Sequence, residues 1–123
     1  MTACPRLTLL VTSPLRQSEK IKPPTISSER QLKRLANAMR ELSKKYPDDM
    51  DAATLFAEAI MDTMPWNYWL PEGKHQPLTP ELLATLEAVL AKAPQHPGAN
   101  HLYIHAVEAG PTPQKGLPAA DRL

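Results

Sequence analysis

The 123-residue chain carries 14 prolines, 4 glycines, a single cysteine and a formal net charge of +1. One cysteine excludes an intrachain disulfide, and the near-neutral balance with few aromatics argues against a nucleic-acid-binding protein. Proline inside a helix costs about 3 kcal/mol, so the proline-free windows 25–46, 48–64, 81–93 and 98–110 select helices punctuated by turns, and the few β-branched runs argue against a sheet.

Residues 1–26 read as an arm. They mix Pro, Ser, Thr and Lys with one apolar run, Leu7-Thr8-Leu9-Leu10-Val11, which suits a strand, a short docking segment or, as preferred here, part of a disordered arm. That run is too short to span a membrane and lacks a signal-peptide layout, so the chain is expected to be soluble and cytoplasmic. Cys4 has no neighbour that would activate it as a nucleophile.

The repeat domain is expected over 27–123. Helix 1 is predicted over about 28–45. Ser28 and Gln31 fit a capping box, Leu32, Leu35, Ala36, Met39 and Leu42 form the apolar stripe, and Arg30, Lys33, Arg34, Arg40 and Lys44 ride solvated faces. Helix 2 is predicted over about 50–64, capped by Asp48 or Asp49, with Ala52, Leu55, Phe56, Ala59 and Ile60 in one stripe and Pro65 at its end. A loop follows, rich in aromatics. Helix 3 starts with Thr79 as cap and Pro80 at the first position, and ends near Ala93; helix 4 runs from about 98 to 109 and is stopped by Gly110 and Pro111. Thr112-Pro113 opens a last segment that Gly116 and Pro118 should interrupt.

A shift of 47 residues superimposes the two helix pairs. Leu35 meets Leu82, Pro47 meets Pro94, Ala52 meets Ala99, Leu55 meets Leu102 and Ala59 meets Ala106, with Phe56/Tyr103 and Ile60/Val107 as conservative matches. This pattern suits stacked helical hairpins. The segments Lys45-Tyr46-Pro47-Asp48-Asp49, Asp51–Ala59, His96–His101 and Tyr103–Ala109 resemble bacterial tetratricopeptide-repeat (TPR-like) proteins. The resemblance covers about 28–123, most specifically 45–66 and 92–109. It implies an all-α fold of antiparallel helix hairpins more than it implies an activity. Such relatives continue with further helix pairs, so the chain looks like a fragment or a short form. Two pairs are few for a stack, and one end should expose an apolar face, through which the chain is expected to dimerise or exchange a helix.

Charge is divided unevenly. Residues 1–47 hold ten Lys/Arg against three Asp/Glu, and residues 48–123 hold four against ten, so the halves of one chain or of two should attract each other.

All four histidines fall between 75 and 105. His101, His105 and Glu108 at i, i+4 and i+7 share one helical face, a spacing that can ligate a divalent metal such as Zn, Cu or Fe and leave a position for water. Leu102 stands where a metalloprotease helix carries its general base. At 100° per residue the stripe lies nearly opposite Leu102, Tyr103 and Ala106. The competing reading is a polar face with His–Glu hydrogen bonding. Glu58 holds the repeat position of His105, as Thr54 holds that of His101, and is placed to reach the same groove, with Asp62 one turn further along helix 2 as a further ligand or acid/base candidate; Glu58 and Glu108 are the weak catalytic candidates. Trp66, Tyr68 and Trp69, with His75 nearby, suit a ligand or peptide pocket, or else cap the core. Two functions result: a binding module for a protein, a peptide or a second copy, with no nucleic-acid or membrane partner, and a metal-dependent hydrolase or oxidoreductase. A truncated piece without activity of its own is the third reading.

Overall fold

A computed structural model describes residues 26–123, with side chains from Ser28 onward. The proposed arm, Cys4 and the Leu7–Val11 run lie outside the described residues, apart from Ile26, which already belongs to the first helix. The described chain is all-helical: α1 (Ile26–Lys45), α2 (Met50–Asp62), α3 (Thr79–Lys92), α4 (Pro97–Glu108) and the short α5 (Leu117–Ala120). Each of the first four helices packs on the next, and α2 also touches α4. The tight turn at 46–49 makes α1 and α2 antiparallel neighbours, and α3 and α4 pair across an equally short connection.

Local chemistry accounts for the boundaries. Asp49 caps α2, its carboxylate accepting from the Ala52 amide at 2.9 Å. The helix stops at Asp62, earlier than expected: Thr63 keeps helical angles, but its amide bonds the Ile60 carbonyl at 3.0 Å, a tighter bond that closes the last turn ahead of Pro65. The capping box expected at Ser28 and Gln31 needs correction, since the helix is already running at Ile26 and Ser28 sits inside its first turns. Thr79 is likewise no cap. It is buried, and its hydroxyl donates to the Tyr68 carbonyl at 2.6 Å, tying the aromatic loop to α3. Pro118 does not break the last segment either: it stands in the first turn of α5, where its missing N–H costs nothing.

The core lies between α2, α3 and α4. Phe56, Ile60, Leu82, Leu86, Val89 and Tyr103 fill it, and the small Ala57, Ala99 and Ala106 let the helices approach. The predicted apolar stripe of α1 is only partly used. Ala36 is buried and Met39 packs against the core, but Leu35 and Leu42 are 49% and 41% exposed, and on α2 Leu55 is 52% exposed. A stripe is buried only where another element covers it, and among the described residues nothing packs on the outer side of α1. Arg40, expected on a solvated face, instead forms a two-pronged pair with Glu81 of α3 at 2.8 and 2.9 Å and lies over the Phe56 ring. The Tyr103 hydroxyl donates to Glu87 at 2.9 Å, and burial together with that carboxylate pushes its pKa up to about 12.

Candidate functional site

The sequence candidates converge on the surface between α2 and α4. Two adjoining clefts run along it. One, of about 230 Å³, is lined by Glu58, Asp62, Trp66, Tyr68, His101 and His105 among others. The other, of about 560 Å³, continues past Glu58 and His101 to Thr54, Leu55, His96 and Asp51. Glu58, Asp62 and Thr54 therefore do share a groove with His101 and His105. The expected opposition between the histidine stripe and Leu102 needs correction. Leu102 lines both clefts beside His101, because about 60° separates it from His105 on the helix.

The histidine face has a definite geometry. The His101 and His105 rings meet edge to face with centroids 4.8 Å apart, and Trp66 meets His105 in the same manner at 5.1 Å. His105 Nδ1 lies 2.7 Å from Glu108 Oε1, so Nδ1–H donates to the carboxylate and Nε2 is left for other partners. Glu108 thus holds an imidazole, and it does not line either cleft. Among the described residues, no three His, Cys, Asp or Glu side chains are arranged to hold a metal ion.

The aromatic loop divides between two sides of the molecule. Trp66 is 72% exposed and stands at φ 60°, a conformation that is rare for a bulky residue and carries strain. Tyr68 is buried beneath it, and burial raises its pKa. Trp69 points away, its indole N–H donating to the Ala106 carbonyl at 2.8 Å. His75 is exposed, lies opposite Trp69 in an isolated antiparallel bridge and bonds the Gln76 carbonyl at 3.0 Å. The four residues proposed as one pocket are therefore not brought together: Trp66 and Tyr68 belong to the groove, and Trp69 and His75 do not.

His96 was not singled out by the chemistry of the sequence, yet it organises one end of the groove. Its Nδ1 accepts from the Ala99 amide at 3.1 Å as the cap of α4, which leaves Nε2–H to donate to Asp51 at 2.9 Å across to α2. The signal was Pro97, which stands at a first helical position and marks the residue before it as the cap. The side chain was overlooked because histidine is not among the usual capping residues. Asn100 was missed too. Fully buried, it donates to the carbonyls of Pro94 and His96, both at 2.9 Å, and fixes the turn that delivers His96.

No protein-family model, curated protein or solved structure matches the chain. Among the described residues, no helix is long and apolar enough to cross a membrane.

Proposed function

We propose that the chain is a helical-repeat binding module of TPR-like type, and that the groove between α2 and α4 receives a peptide or partner helix. The observation that carries this reading is Trp66: a large aromatic held in a strained backbone conformation and left mostly in solvent at the groove's edge. Beside it stand the exposed Leu55 and half-buried Leu102 for apolar contact, and Glu58 and Asp62 for charged contact. Burial at the second helix of each pair is consistent with the 47-residue repeat. Ala52 and Ala99, Phe56 and Tyr103, Ala59 and Ala106, and Ile60 and Val107 are all buried.

Random-peptide display on the full chain tests this reading. Wild type should enrich peptides that combine apolar and basic residues, and the Trp66→Ala/Leu55→Asp variant should lose them. Equal enrichment on both proteins, or none on either, overturns it. Trp66→Gly sharpens the test, because glycine adopts the positive φ freely: stability should hold or rise by about 1 kcal/mol while peptide binding falls.

A second reading, a metal-dependent hydrolase or oxidoreductase, draws on the contact between the His101 and His105 rings and on Glu108 fixing the His105 tautomer, as carboxylates do behind metal-binding imidazoles. Elemental analysis of the purified protein decides it. Stoichiometric Zn, Cu or Fe that is lost in the His101→Ala/His105→Ala variant supports it, and metal-free protein with a melting temperature unmoved by added metal removes it.

A further inference from the structure

The outer face of α1 and α2 carries charge in stripes. A shallow cleft of about 160 Å³ between these helices is lined by Leu35 and Met39 of α1 and by Leu55, Glu58, Ala59 and Asp62 of α2. At about 100° per residue, Met39 lies about 40° to the α2 side of Leu35, and Arg34 lies about 100° to the opposite side. On α2, Ala59 lies about 40° to the α1 side of Leu55, while Glu58 lies about 60° toward the α4 groove that it also lines. Across the surface the order is therefore basic Arg34, apolar Leu35 and Leu42, apolar Leu55, then acidic Glu58 and Asp62. Arg34, Glu58 and Asp62 are exposed, and Leu35 and Leu55 are each about half exposed.

An interface between two identical copies related by a twofold axis must be complementary to itself. This patch is. A twofold axis lying in the plane of the face, parallel to the helices along the apolar strip between Leu35 and Leu55, turns Arg34 of each copy onto Glu58 and Asp62 of the other. Both charge contacts then form at once, and the leucines of the two copies face each other in the middle. We infer that the chain forms a twofold dimer through the outer face of α1 and α2, with Arg34 of each copy set against Glu58 and Asp62 of its partner. The interface shares Leu55, Glu58 and Asp62 with the edge of the peptide groove but not Trp66, His101 or His105, and its failure would leave the groove reading intact. The basic surface of α1, read from sequence as a solvated face, gains a role at this one position.

Sedimentation equilibrium on the full chain from about 1 µM to about 1 mM tests it. Wild type should pass from monomer to dimer and go no further. Arg34→Glu alone places like charges in contact twice and should weaken the dimer roughly tenfold or more. Glu58→Arg/Asp62→Arg on one chain should do the same. Mixing these two variants restores opposite charges at both contacts, so the mixture should dimerise where neither variant does, with circular dichroism confirming that both are folded. Leu35→Asp should abolish association and stay monomeric at every concentration tested. A wild-type monomer throughout overturns the inference and leaves this face to residues 1–25 of the chain or to a different protein. So does a mass that keeps growing beyond dimer, which indicates head-to-tail contact, and so does a mixture that fails to recover.

Discussion

At the residue scale the loop between α2 and α3 depends on a single glycine. Gly110 ends α4, where a C-terminal glycine is expected for its backbone alone, yet the structure assigns it a second duty. A Cβ built there would lie 2.5 Å from Trp69 Cε2 and 2.8 Å from its Nε1. The indole cannot simply swing aside, because its N–H is committed to the Ala106 carbonyl. Gly110→Ala should therefore cost about 1–3 kcal/mol, as overpacking against a fixed ring does, where an unhindered helix end would tolerate it. Urea unfolding measures this, and a change below about 0.5 kcal/mol would refute the packing argument. The sequence marked the stop and could not mark the clash, because Trp69 lies some forty residues upstream and reaches Gly110 only through the tertiary fold.

At the scale of elements, the join between α1 and the rest of the bundle includes one polar clamp, Arg40 to Glu81. The hydrogen bonds from the guanidinium, opposed by partial burial and assisted by its charge, hold the Glu81 carboxyl below its ordinary 4.5, and the same bonds raise Arg40. A carboxyl depressed in the folded state binds its proton more weakly there than in the unfolded chain. Its contribution is thus fully present above the ordinary carboxylate value and fades as pH falls through and below it. With the Glu81 side chain 38% exposed, solvent screening limits the pair to about 1 kcal/mol. Chemical unfolding of wild type and Arg40→Met should differ by about this amount at pH 7, and the gap should close toward pH 3. A gap that persists unchanged in acid would assign Arg40's effect to its packing over Phe56 instead. Periodicity placed Arg40 off the apolar stripe and there its information ended, because the partner that draws it inward comes from another helix 41 residues away.

At the scale of the whole molecule, what was legible was whatever the chain encodes locally. Prolines mark the gaps between the helices, Asp49 caps α2 as expected, and the apolar periods of α3, α4 and, Leu55 apart, α2 match their buried or half-buried faces. The groove was half legible: equivalent positions 47 apart pointed Glu58 and Thr54 at the histidines, while the split of the aromatic loop and the capping role of His96 depended on where separate elements meet. Least legible was which apolar positions another element covers. Leu35 and Leu82 lie 47 residues apart and look alike in sequence, yet one is 49% exposed and the other 0%. That contrast makes a test of the architecture. Leu82→Ala should leave a cavity among Phe56, Leu86 and their neighbours and cost about 2–5 kcal/mol. Leu35→Ala in dilute protein should cost less than about 1 kcal/mol, because about half of the area it removes is already wet and no packed cavity is left behind. Equal costs measured by urea unfolding at micromolar concentration would mean that Leu35 is covered even in the monomer, which would contradict an open edge at α1. If the two costs differ when dilute and converge as concentration rises, the missing cover of α1 is supplied by a second copy, and the open side of the helices closes by pairing with itself.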